Sequence, residues 1–125
     1  MIAILDAADI HHAAARRAVV EFGRSADLVL PASAYSELMV HPHADGLDEV
    51  AHADAFIDAL PARIEPIDRT VALAAAQLRA RFGRALRLPD ALVLGTAVAL
   101  RADLVLTTDS RWPETGVATR VVKAG

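Results

Sequence analysis

The chain contains no cysteine. That absence removes disulfides, thiolate metal sites and cysteine nucleophiles together, and it fits a reducing cytoplasm. Nor is there a run of the roughly eighteen apolar residues that a membrane span requires; Arg101 and Asp103 break the longest candidate. The apolar start "MIAIL" meets Asp6 too soon to be a secretory signal. Lysine is almost missing, with Lys123 the only one and the other twelve basic residues all arginine. Beside the abundant alanine, this reads as the codon bias of a GC-rich genome before it reads as function. Positive charge is not in excess either. The net charge of −3 gives no global basic field for nucleic acid, although "RARFGRALR" gathers Arg79, Arg81, Arg84 and Arg87 within nine residues. Linkers, repeats and low-complexity tracts are also lacking.

What remains is a chain of 125 residues that is 54% hydrophobic, enough for one domain with a real core. Its pattern alternates helix and strand. Ala15, Val19 and Phe22 recur at helical spacing and predict a helix ending near Gly23. "DLVLP" (Asp27 to Pro31) is a short apolar strand, and "ASAYSELMV" after it reads as a helix with Ser33 as its cap. "HPHADG" reads as a break. Val50, Ala53, Ile57 and Leu60 share one face of a helix closed by Pro61, and Pro66 marks "ARIEPI" as an edge strand. Val71, Ala75, Leu78 and Phe82 mark another helix. A buried helix follows from Pro89 or Asp90 to Leu100, then the strand "DLVLTT" and a last strand around "VATRVV". Short apolar strands alternating with helices predict an α/β fold, a parallel sheet covered on both faces. In such sheets the ligand site lies beyond the carboxyl ends of the strands.

Three acids fall at that end. Asp109 follows the strand "DLVLT", Glu37 lies in the helix after "DLVLP", which places it in that helix's early turns, and Asp90 opens the buried helix. Singly, each has an ordinary explanation: a helix cap for Asp90, a turn residue for Asp109, a solvated helix position for Glu37. Together they repel one another unless a positive charge sits among them, and no Lys or Arg is evident to supply it. Mg²⁺ or Mn²⁺ is the natural counter-charge, because hard cations take carboxylate and water oxygens, and a cation so held activates water for phosphodiester cleavage. Thr107 or Thr108 can add a hydroxyl. His11, His12, His41 and His43 are read as surface or capping residues, and Trp112 as a packing anchor.

The blocks "LPASAYSEL" and "LRARFGRALRLPDALVLGTAVALRADLVLTTDSRW", with "TRVV" after them, resemble the PIN-domain ribonucleases, most closely the VapC-type toxins of toxin–antitoxin pairs. The match runs from about His11 to Val122. The Leu-Pro-Asp-Ala and Leu-Thr-Thr-Asp blocks, nineteen residues apart from Asp to Asp, form its most specific part. The resemblance implies a PIN-like three-layer sandwich and a cytoplasmic Mg²⁺-dependent endoribonuclease. It implies an RNA substrate such as a tRNA, a cognate antitoxin covering the site, and a homodimer. Glu37, Asp90 and Asp109 then correspond to the family's second, third and fourth acids.

The first acid has two placements. In the preferred one, "AILDAADIHHAAA" aligns after the family's first strand, so that strand and its Asp are missing or lie upstream of Met1. In the other, "MIAIL" is the first strand and Asp6 the first acid, although the usual Ser or Thr two residues later is absent. The preferred placement motivates an alternative function, a catalytically impaired PIN-like scaffold that binds an antitoxin or RNA. A phosphotransfer receiver domain, the remaining parallel α/β rival, needs an acid pair after its first strand and a lysine near its last helix, and Lys123 lies too near the C-terminus.

Overall fold

The computed structural model describes residues 1–6, 13–107 and 109–122. Five strands form one fully parallel sheet in the order β3-β2-β1-β4-β5: β1 (Ile2–Leu5), β2 (Asp27–Pro31), β3 (Ala62–Glu65), β4 (Leu104–Thr107) and β5 (Thr119–Val121). Its helices are α1 (Ala13–Gly23), α2 (Ala32–Leu38), α3 (Val40–Asp45), α4 (Leu47–Ala59), α5 (Arg69–Phe82) and α6 (Leu88–Leu100), with a short 3₁₀ turn at Gly83–Ala85. The chain passes from β1 through α1 to β2 on one side, and from β3 through α5 and α6 back to β4 on the other side of β1. Parallel crossovers of this kind are right-handed as a rule. Those two directions place α1 and α6 on opposite faces, which gives the expected three layers.

The preferred placement of the N-terminus is corrected here. Ile2–Leu5 is the central strand, paired on one side with β2 and on the other with β4. Ala3, Ile4 and Leu5 are buried, as a strand covered on both faces must be. Its ends are tied as well: Asp27 N–H donates to Met1 O at 2.7 Å, Asp103 N–H to Ile2 O at 2.8 Å, and Asp6 N–H to Leu106 O at 2.8 Å. Asp6 therefore leaves the carboxyl end of the central strand.

Most other expectations hold. Asp27–Pro31 is a strand, and β3 is an edge. The helix from Arg69 carries Asp68 as its N-cap, whose Oδ1 accepts from Val71 N–H at 2.9 Å. Helix α6 has buried Ala91, Val93, Leu94, Thr96 and Ala97 because it packs against both the sheet and α5. Gly95 permits that approach. A Cβ there would stand 2.9 Å from both Val71 O and Ala75 N of α5. Two local readings fail. "HPHADG" is not a break, since Val40–Asp45 is helical; Pro42 sits in the first turn, where its missing N–H has no intrahelical partner to lose. Ser33 is not a cap either. Pro31 holds the cap position, and the Ser33 hydroxyl is buried without a hydrogen-bond partner.

Candidate active site

The sheet order has a switch point between β1 and β4. From β1 the chain moves outward to β2, whereas β4 returns to the other side of β1. Loops leaving neighbouring strands in opposite directions open a crevice at their carboxyl ends. Asp6 follows β1 and Asp109 follows β4, so both acids flank that crevice.

Asp6 is the inner member. Thr107, itself buried, donates its hydroxyl to Asp6 Oδ2 at 2.8 Å. The same Thr107 Oγ1 accepts the backbone N–H of Asp109 at 3.0 Å. One hydroxyl thus fixes the Asp6 side chain and the backbone leading to Asp109. The Asp6 carboxyl is pushed up from 3.8 to about 6, chiefly by burial, against the Thr107 bond and with the charges of Asp90, Glu37 and Asp109 adding to it. Four carboxylates therefore share one electrostatic site.

Asp90 is the third residue of α6. The cap position is Arg87, and no side chain caps this helix end, so Asp90 is not its N-cap. Its position in the first turn sets the carboxylate in the favourable field of the helix N-terminus. Burial nonetheless raises its pKa, with Asp109 adding to the rise and Arg87, Trp112 and Arg111 opposing it. Trp112 packs against the core as expected. Its buried indole N–H lies near enough to favour the Asp90 carboxylate, short of a hydrogen bond of ordinary geometry.

Glu37 is the sixth of the seven residues of α2, not in its early turns, and it is exposed. It still adds its charge to the field at Asp6, as the outer acid on the β2 side.

Asp109 combines two roles. Its Oδ1 accepts the backbone N–H of Arg111 at 2.8 Å, which is the turn geometry of an Asp. The Arg111 guanidinium also grips it, Nε to Oδ1 at 3.1 Å and Nη2 to Oδ2 at 3.2 Å. Those bonds hold the Asp109 carboxyl below the usual range, against some burial. The expectation that no cation stands among the acids is thereby corrected: Arg111 supplies one.

Carboxylate oxygens are the donors that hard cations prefer, and the chemistry of these acids fits such a cation. Their side chains are not drawn together on one point. Among the described residues, no group of three or more His, Asp or Glu stands as ready metal ligands. His11 and His12 lie outside the described residues, as does Thr108. The His43 ring Nδ1 stands 2.7 Å from Met39 O, one turn earlier in the chain. In the arginine-rich segment, Arg79 Nε donates to Leu86 O at 3.4 Å and Arg81 stacks on Phe82. No helix among the described residues is long and apolar enough to cross a membrane.

An all-parallel α/β sandwich with acids at its switch point defines the class. The particular family follows from sequence: the PIN-domain profile matches residues 1–118, and the chain belongs to the PIN-domain family, a family of nucleases. Solved structures agree in fold. A toxin–antitoxin complex from Klebsiella pneumoniae superposes with a TM-score of 0.79 at 16% identity, covering 100% of both chains. VapBC2 from Rickettsia felis, bound to a DNA fragment from its promoter, gives 0.76 at 15% identity over 98% of this chain and 100% of that one. VapBC-1 from nontypeable Haemophilus influenzae gives 0.71 at 16% identity over 97% and 98%. No curated protein sequence matches the chain significantly.

Proposed function

We propose that this chain is a VapC-type toxin, an Mg²⁺- or Mn²⁺-dependent endoribonuclease neutralised by a cognate antitoxin. The observation that carries the reading is geometric: at the switch point one buried hydroxyl, that of Thr107, holds both the half-buried Asp6 carboxyl and the backbone of Asp109, and burial with three neighbouring acids raises the Asp6 pKa to about 6. A carboxylate that the fold makes hard to ionise is stabilised by a bound dication. The antitoxin follows from the fold's likeness to toxin–antitoxin complexes, and the substrate class from the family resemblance in the Leu-Pro-Asp-Ala and Leu-Thr-Thr-Asp blocks.

In this reading Asp6, Asp90, Asp109 and Glu37 would hold the cation, directly or through water. Bound there, the cation supplies activation of water and charge stabilisation for phosphodiester hydrolysis. The protein's share is positional. Thr107 orients Asp6 and the start of the Asp109 loop, α6 presents Asp90 in its first turn, and the Trp112 indole favours the charged form of Asp90. Arg87 lies near both Asp90 and Asp109, where an exposed guanidinium can take a phosphate of the RNA backbone.

The Arg111 grip on Asp109 favours the second reading, a scaffold that binds partners without cleaving. RNA cleavage by the purified chain in Mg²⁺ or Mn²⁺ separates the two, with EDTA and Asp90→Asn as controls. Cleavage abolished by both controls supports the nuclease. A folded chain that binds Mn²⁺ but leaves RNA intact supports the scaffold.

A further inference from the structure

Arg111 is the unexpected member of the site. Its side chain is 88% exposed, yet three of its donors converge on Asp109, whose side chain is 24% exposed. The backbone N–H bond, at 2.8 Å, is the short one, whereas the guanidinium bonds are 3.1 and 3.2 Å. Strong guanidinium–carboxylate bonds run about 2.7–2.9 Å. The backbone bond does not depend on the guanidinium, and an ion pair whose arginine is this exposed is worth little, so the guanidinium is the part free to exchange. Its reach extends past Asp109, since Arg111 and Asp90 also feel each other's charge. It does not neutralise the inner acid, because it grips the outer one.

Resting on the nuclease reading, we propose that Arg111 is a self-supplied counter-ion of this site. Its guanidinium holds Asp109 in the cation-free chain, gives up that carboxylate when a divalent cation binds, and then takes a phosphate of the RNA strand. The arrangement keeps Asp109 from swinging away when the site is empty. It also places a mobile, planar donor pair at the rim where the substrate's charge arrives.

Two consequences are measurable. Removing the guanidinium relieves a competitor, so cation affinity rises; for an exposed pair the change is limited to about fivefold. Removing it also deletes one phosphate contact, which lowers the magnitude of the salt slope for single-stranded RNA by about 0.7. Loss of a residue that only braced the turn would weaken Mn²⁺ binding or leave it unchanged, and would leave the salt slope unchanged.

The experiment is calorimetric titration of the full chain with Mn²⁺ alone, for the wild type, Arg111→Gln and Arg111→Lys. It is followed by the dependence of KM for RNA on salt. The expected result is roughly two- to fivefold tighter Mn²⁺ binding by the Gln variant, a higher KM, and a shallower salt slope that Arg111→Lys restores. A wild type that binds Mn²⁺ and cuts RNA, beside a Gln variant that binds Mn²⁺ no tighter or keeps the full salt slope, overturns this inference alone. A wild type that takes up no Mn²⁺ overturns the nuclease reading and this inference with it.

Discussion

Replacing Asp6 by Asn removes one charge from the inner end of the site and little else. The side chains are nearly isosteric, and the Asn carbonyl oxygen can still accept the Thr107 hydroxyl, which donates to Asp6 Oδ2 at 2.8 Å in the native chain. The magnitude follows from the carboxyl's displacement from 3.8 to about 6. Roughly two pKa units at 1.36 kcal/mol each amount to about 3 kcal/mol. For the sign, the raised pKa means that the fold binds the Asp6 proton more tightly than the unfolded chain does. Between pH 3.8 and about 6, then, the Asp6 contribution to stability falls as pH rises, and above that window the whole penalty is present. Without a cation at pH 7.5, Asp6→Asn should be more stable than the wild type, by about 1–3 kcal/mol once the new amide N–H₂ has to find partners. Near pH 4 most of that advantage should disappear. Comparing the two proteins cancels the opposite contribution of Asp109, whose lowered pKa stabilises the fold above its ordinary value. Urea unfolding in EDTA at the two pH values measures the difference. Adding Mn²⁺ at about a hundred times its dissociation constant should stabilise the wild type by about 2.7 kcal/mol and leave the variant nearly unchanged. An Asp6→Asn protein that is less stable than wild type at pH 7.5 in EDTA, or that gains as much from Mn²⁺, refutes the placement of Asp6 at a cation site.

Thr107→Val keeps the volume but removes the hydroxyl shared by Asp6 and the Asp109 backbone. It should cost about 1–3 kcal/mol of stability, and Mn²⁺ affinity should drop about 10–100-fold, as for groups that orient ligands; titration and urea unfolding read both effects. Unchanged Mn²⁺ affinity would show that Thr107 serves packing alone. Gly95→Ala places a Cβ 2.9 Å from two backbone atoms of α5, so α6 must move or α5 must yield, at about 1–3 kcal/mol. A midpoint within error of the wild type in urea would mean that the two helices separate freely. In the cleavage assay, Asp90→Asn should lose at least about a hundredfold in activity while remaining folded by circular dichroism, because a ligand is a stronger determinant than the groups that orient it.

Periodicity and chain order carried much of this protein. The strand Asp27–Pro31, the edge position of Ala62–Glu65 beside Pro66, and the buried helix with Asp90 in its first turn all follow from local pattern. An alternating helix–strand sequence likewise forces a parallel sheet, and Asp109 after β4 stands near its carboxyl edge. Local pattern ran out at four points. A strand of four residues such as Ile2–Leu5 has too few positions for periodicity to show. What identifies it as central is pairing with β2 and with β4 a hundred residues away, and with it Asp6 becomes the inner acid. Pro42 looked like a helix breaker, yet in a first turn it has no hydrogen bond to break. Glu37 lies late in its helix, yet its charge still reaches Asp6 through space. Arg111 stands two residues from Asp109 in the chain, but only the turn that follows β4 folds its guanidinium back onto that carboxylate. Residue types and their order determined the parallel sheet and the placing of Asp90 in the first turn of its helix. Tertiary structure decided which of them is buried, which is already paired, and which strand runs through the middle, because burial and pairing depend on neighbours that are distant in the chain.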